Sequence, residues 1–133
     1  MSKTHTDDTK KKPSLPCCAG IREVLSMIGD KWSVLIIVLL KDSPLRFSEL
    51  GRYVDGISQR MLTRTLRGLE RDGLLIRTVK KTVPPSVYYA LTPMGRTLLP
   101  HLEGLTDWAR KRHPDIRKAQ AAYDKKQKTA QEK

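Results

Sequence analysis

Apolar residues along this chain fall into blocks, and the spacing within each block indicates what it builds. Ile21, Val24, Leu25 and Ile28 recur every three or four residues, which lines them along one side of a helix. Gly29 can end that helix and Asp30 can cap the next, predicted from Lys31 to about Lys41. Seven consecutive aliphatics run within it, Val34 to Leu40, so this helix is expected to be buried on nearly all sides. A membrane span would need roughly 20. Phe47, Leu50 and Val54 then mark a short helix opening at Leu45, and Asp55-Gly56-Ile57 is a tight connection out of it.

Between Ser58 and Gly73 the two faces of a helix separate cleanly. Ser58 can cap the first turn and Gly73 supplies the permissive backbone that stops it. At about 100° per residue, Met61, Leu62, Thr65, Leu66 and Leu69 fall on one side, and Arg60, Thr63, Arg64, Arg67 and Arg71 on the other. The period then shortens. Leu74–Lys81 and Ser86–Leu91 are branched and aromatic runs separated by Thr82-Val83-Pro84-Pro85, a predicted β-hairpin. Thr92-Pro93 is a cap and first-turn pair that starts a long helix running to about Arg112. There Leu98, Leu102, Leu105 and Ala109 are spaced four, three and four, with Leu99 and Trp108 beside them, like a coiled-coil seam. Pro100 predicts a kink or break within it.

Two helices joined by a brief turn form a helix-turn-helix, and a hairpin directly after the basic helix suggests a wing. The expected class is α+β, mainly α: a winged helix-turn-helix with a β-hairpin wing at residues 15–112, its last helix serving dimerisation. Residues 1–14 are expected to be a disordered basic arm, because almost nothing there can be buried. Residues 113–133 are expected to be a charged helix or tail. The seam of Leu98, Leu102, Leu105, Trp108 and Ala109 is assigned to a homodimer interface, since a domain this small has already used its other helices to make a core.

The net charge of +12 sharpens this reading through its distribution. Residues 46–81 hold nine basic and four acidic groups, more net charge than the whole of residues 14–109, so the excess sits on the helix-turn-helix and wing. Double-stranded DNA is the polyanion that fits, because RNA modules of this size use aromatic-lined sheets or Gly-rich backbone clamps that this chain lacks. No membrane partner is expected, since the basic helix opposes a leucine face that the fold itself needs. No apolar stretch resembles a secretory leader, so the chain is expected to stay in the cytosol.

Catalytic chemistry finds no constellation. His5, His101 and His113 are scattered, without a serine or cysteine nucleophile at a recognisable spacing, and no phosphate-cradling Gly motif occurs. Cys17 and Cys18 are the only cysteines; two thiols without a nearby His cannot form a zinc site, so no metal or cofactor is expected. A disulfide between immediate neighbours is strained, and on the residues alone the pair reads as small and inert.

Four segments, Ile28–Trp32, Pro44–Leu50, Gly56–Leu62 and Val83–Thr92, together resemble the HxlR family of bacterial winged-helix transcription regulators, over about residues 18–112. The resemblance implies a homodimer held by its first and last helices on a pseudo-palindromic operator, mostly as a repressor and sometimes as an activator. It implies a recognition helix at Ser58–Asp72 and a wing at Lys80–Ser86. Base contacts then fall to Ser58, Gln59, Arg60, Thr63 and Arg64, and phosphate contacts to Arg46, Arg67, Lys80 and Lys81. The assignment has a chemical reason: a guanidinium can bond guanine O6 and N7 together, and Gln59 can do the same for adenine N6 and N7. Arg96 suits a local salt bridge at least as well as a DNA contact.

Many members of the family also carry a cysteine near this place, usually followed by proline, and some sense quinones, aldehydes or oxidants through it. Here Ala19 follows Cys18, and the spacing to Arg22 is one residue longer. The resemblance thus implies a small electrophile or oxidant as effector, with Cys18 as the leading sensor and Cys17 as its substitute. The alternatives are a constitutive DNA binder without cysteine sensing, or a winged helix used purely for protein contact.

Overall fold

The computed structural model describes residues 18–132, with side chains from Gly20 to Gln131. The expected arm at residues 1–14, Cys17 and the Cys18 side chain lie outside the described residues. The elements run α1 (Cys18–Ile28), α2 (Lys31–Leu39), β1 (Leu45–Arg46), α3 (Phe47–Tyr53), α4 (Gln59–Arg71), β2 (Leu75–Lys80), β3 (Ser86–Leu91) and α5 (Pro93–Glu132). This is the mainly helical winged helix-turn-helix with a small antiparallel sheet.

Local caps set most boundaries. The Asp30 carboxylate accepts from the Ser33 N–H at 2.8 Å and from the Ser33 hydroxyl at 2.8 Å, so the buried Ser33 side chain is satisfied where α2 begins. Gly56 and Gly73 take positive φ, 86° and 81°, at the turns entering and leaving α4. Thr92 joins three elements. Its hydroxyl donates to the Gly73 carbonyl at 2.6 Å and accepts from the Gly95 N–H at 3.0 Å, and its own N–H bonds the Leu74 carbonyl at 3.1 Å. Gly95 is required there, because a Cβ at that position would overlap the Leu74 carbonyl.

The core gathers Ile36, Ile37 and Leu40 of α2 and its C-cap, Leu50 and Val54 around α3, Leu62, Leu66 and Leu69 of α4, and Leu99 and Leu102 of α5 over the sheet face of Leu75, Tyr89 and Leu91. α2 packs against α4 and α5, and α4 against β2. α2 is covered less than the expected burial on nearly all sides: Ser33, Ile36 and Ile37 are buried, Trp32, Val34, Val38 and Leu39 are half-buried, and Lys31 and Leu35 are exposed. With one small sheet and few helices, the fold cannot surround a helix completely.

Two corrections concern the ends of the pattern. Leu45-Arg46 does not open a helix: it is a two-residue strand that pairs antiparallel with β3, Leu45 opposite Tyr89, giving the sheet order β1-β3-β2. α5 does not stop near Arg112 or break at Pro100; it continues through Pro100 and Pro114 to Glu132. Each proline withholds one N–H from a carbonyl four residues upstream, on Arg96 and Arg110. Both are exposed, so water can serve that carbonyl.

Candidate nucleic-acid interface

The interface is built on α4. Its N-terminus is fixed by Ser58, whose hydroxyl accepts from the Met61 N–H at 3.0 Å. Its orientation is fixed by Leu62, Leu66 and Leu69, each 1% exposed and each adding roughly 1.5–3 kcal/mol through burial. Thr65 lies half-buried on this side, its hydroxyl turned back to the Met61 carbonyl at 2.8 Å. The helix therefore cannot roll without breaking the core, and the remaining face is committed to solvent.

On that face Gln59, Arg60, Arg64, Arg67 and Arg71 are exposed, as is Ser58 at the cap. Among the described residues, none of these four arginines has a carboxylate within 4.0 Å; the ion pairs lie elsewhere, at Lys41–Glu103, Arg46–Glu49, Arg110–Asp107 and Arg112–Asp115. Four guanidinium groups within three turns, unneutralised by the protein, make a strongly positive ridge. Clefts border it on both flanks. One, of about 280 Å³, runs toward Asp30 and Ser33 and is lined by Met61 and Arg64. The other, of about 390 Å³, lies between α4, Phe47 of α3 and the sheet.

The second cleft contains a residue that sequence reasoning missed. Arg77 stands opposite Tyr89 in the β2–β3 register and lines the cleft with Thr63, Arg67 and Glu70. Leu75, Arg77 and Val79 share one face of β2 by simple alternation, which was the available signal. What made it hard to see is that Arg77 occupies an otherwise apolar series. Thr63 is half-buried against this cleft and so sits on the flank of α4 rather than on its crest.

The expected phosphate-holding residues lie on separate elements: Arg67 on α4, Arg46 at the start of α3, and Lys80 and Lys81 in the wing. Arg46 is N-terminal to α3, where its N–H donates to the Glu49 carboxylate at 2.9 Å while its guanidinium stays half-exposed, 3.7 Å from the same carboxylate. An exposed pair of that geometry is weak and leaves the cation available. In the wing, the Lys80 ammonium lies 4.5 Å from the centre of the Tyr88 ring, which steadies it. Lys81 is exposed at the turn, and the Thr82 hydroxyl closes that turn by donating to the Pro84 carbonyl at 2.7 Å. Arg96 turns the other way. It donates to the Lys41 carbonyl at 3.2 Å and ties α5 to the end of α2, a long-range hydrogen bond to backbone in place of the local salt bridge expected.

The expected dimer seam splits in two. Leu102, 5% exposed, is intramolecular core together with Leu99, because the first turns of α5 pack on α2 and β3; Leu98 is half-buried against the same core. Leu105 and Trp108, 53% and 56% exposed, and Ala109 remain on the surface. Among the described residues no group of three His, Cys, Asp or Glu side chains converges on a metal-sized site, and no helix is long and apolar enough to cross a membrane.

Comparison with known proteins places this geometry among regulators. Residues 27–116 match the HxlR-like helix-turn-helix family. A relative from Methanothermobacter thermautotrophicus, an uncharacterised HTH-type transcriptional regulator, is 47% identical over 91 residues, spanning 68% of this chain and 70% of that one. Among solved structures, the transcriptional regulator ytfH of Salmonella typhimurium superposes with a TM-score of 0.71 at 40% identity, covering 75% of this chain and 89% of its own. The redox regulator HypR in its oxidised form superposes at 0.66, also at 40% identity, covering 69% and 95%.

Proposed function

The chain belongs to the HxlR-like helix-turn-helix family of transcriptional regulators, and from that premise we propose that it binds a pseudo-palindromic operator as a homodimer and represses transcription, its α4 helices in successive major grooves. One observation carries this reading: the ridge of Arg60, Arg64, Arg67 and Arg71 has no carboxylate partner among the described residues while its opposite face is locked in the core. Arg60 and Arg64, one turn apart near the N-terminal end, read base edges with Gln59 and Ser58, and Thr63 contributes from the flank. Arg67, Arg46, Lys80 and Lys81 hold phosphates, and Arg77 joins them from the cleft beside Arg67. Leu105, Trp108 and Ala109 of α5, with Ile21, Val24 and Leu25 of α1, supply the apolar surface a twofold partner would cover.

The test is a gel shift of the purified protein on DNA flanking its own gene. Sequence-selective binding lost in an Arg60→Ala/Arg64→Ala variant is the expected result; undiminished binding in the variant would move base reading off these arginines, and no binding by the parent would favour a winged helix used for protein contact.

A redox input is the second part of the proposal, favoured by the similarity to HypR. Cys18 is the first residue of α1 and Cys17 precedes it in the chain, so the two candidate thiols of this reading are neighbours in sequence. Diamide, a two-electron oxidant, would join two such thiols from partner subunits in one disulfide and change operator affinity. Unchanged affinity with no crosslinked dimer by mass spectrometry would leave a constitutive binder.

A further inference from the structure

The family match ends at residue 116, but α5 continues to Glu132, adding roughly 24 Å of helix at 1.5 Å per residue. From Asp107 to Gln131 every residue is exposed, so no intramolecular packing supports this extension. Most helical stability in proteins comes from packing of one face, which this extension lacks within its own chain. Its sequence nevertheless keeps a seven-residue order. Counting on from Leu105 and Ala109 in alternating steps of three and four gives Arg112, Ile116, Ala119, Tyr123, Lys126 and Ala130. Ile116 is 40% exposed and Tyr123 63%, large apolar surfaces on an otherwise polar rod.

Charge identifies the occupant. Residues 110–133 carry nine basic and three acidic groups, so two copies of this helix should repel. In the heptad that places Ile116 and Tyr123 at equivalent positions, however, Arg110, Lys111, Arg117, Lys118, Lys125 and Lys128 all fall at the outer positions, away from the seam. The positions flanking the seam through the extension are Gln120, Ala122, Gln127 and Thr129, which are neutral. An acidic partner would instead be met by lysines along the edges of the groove. Arg112 and Lys126 interrupt the seam, but their long stems can lie along it with the charged ends in water.

We propose that residues 116–130 of α5 form a two-helix arm with the same segment of a second copy of this chain, continuing the dimer surface of Leu105 and Trp108 beyond the winged-helix body. This rests on the homodimer proposed above. The occupant is self-complementary: a small-residue layer at Ala119 and a large one at Tyr123 meet their own counterparts across a twofold axis.

The experiment is sedimentation equilibrium of the full chain and two charge-matched double variants. Ile116→Glu/Tyr123→Glu, on the seam, is expected to raise the dimer dissociation constant at least tenfold. Arg117→Gln/Lys125→Gln, on the outer face, is expected to change it less than threefold. Both pairs lie outside the core, and hydrogen exchange of the α2 and α4 amides checks that the body is intact in each. Equal effects from the two pairs, in a full chain that does dimerise, overturn the arm and leave the homodimer standing; a full chain that sediments as a monomer removes both.

Discussion

Helices α4 and α5 are both amphipathic, yet the fold absorbs opposite halves of them. α4 is 13 residues long, and its apolar face vanishes into the core at Leu62, Leu66 and Leu69, so what it leaves outside is charge. α5 is 40 residues long and sinks only its first turns, at Leu99 and Leu102; what it leaves outside includes Leu105, Trp108, Ile116 and Tyr123. The surplus chemistry of each helix names its partner. A face of uncompensated guanidinium groups needs a polyanion, and a face of uncovered leucine, isoleucine and aromatics needs another apolar surface.

The strongest way to break that contrast is to loosen α4 from the core. Leu66→Ala should cost about 2–5 kcal/mol in chemical denaturation, because it leaves a cavity among Leu62, Leu69 and the sheet, and operator binding should fail with it. Arg60→Ala and Arg64→Ala should each lower operator affinity by roughly 1–3 kcal/mol in titrations while leaving the denaturation midpoint where it is. If both properties fell together, α4 would not be divided into an anchoring and a reading face. Thr92→Val removes the α5 cap and the bond to Gly73 while keeping the volume, and should destabilise by about 1–2 kcal/mol.

Arg77→Gln sharpens the contrast from the sheet side. A residue that holds phosphate without reading bases should weaken binding to operator and unrelated DNA alike and lower the magnitude of the salt slope by about 1; a change confined to the operator would make Arg77 a base reader. The smallest effect belongs to the ion pair joining α2 to α5. The Glu103 carboxylate, 2.7 Å from the Lys41 ammonium, hydrogen-bonds it and holds its pKa above the ordinary lysine value, chiefly through that bond and then through charge. A raised folded-state pKa means the contribution is complete below the unfolded lysine value, about 10.4, and fades as pH rises through the folded one. Thermal midpoints should therefore fall slightly more steeply above pH 10 in the parent than in Glu103→Gln.

How far such features were legible depends on the range of the interaction behind each. Asp30, Ser58 and Thr92 were readable as caps because each bonds a backbone N–H three residues ahead. β1 was not, since two residues have no period of their own and become a strand only by pairing with Tyr88 and Tyr89 far along the chain. Arg77 reads as an ordinary strand residue until α3, α4 and the sheet close a cleft around it.

The sequence by itself determined the order of the elements, the capped boundaries of α4, the separation of its apolar and basic faces and the two strands of the wing, all written in periodicity and in contacts a few residues apart. Tertiary structure alone decided which members of a regular apolar stripe are core. Leu102 and Leu105 are neighbours three residues apart on the same α5 stripe, yet one is 5% exposed and the other 53%, because the depth to which α5 docks on α2 is set by the whole packed body and not by spacing along one helix.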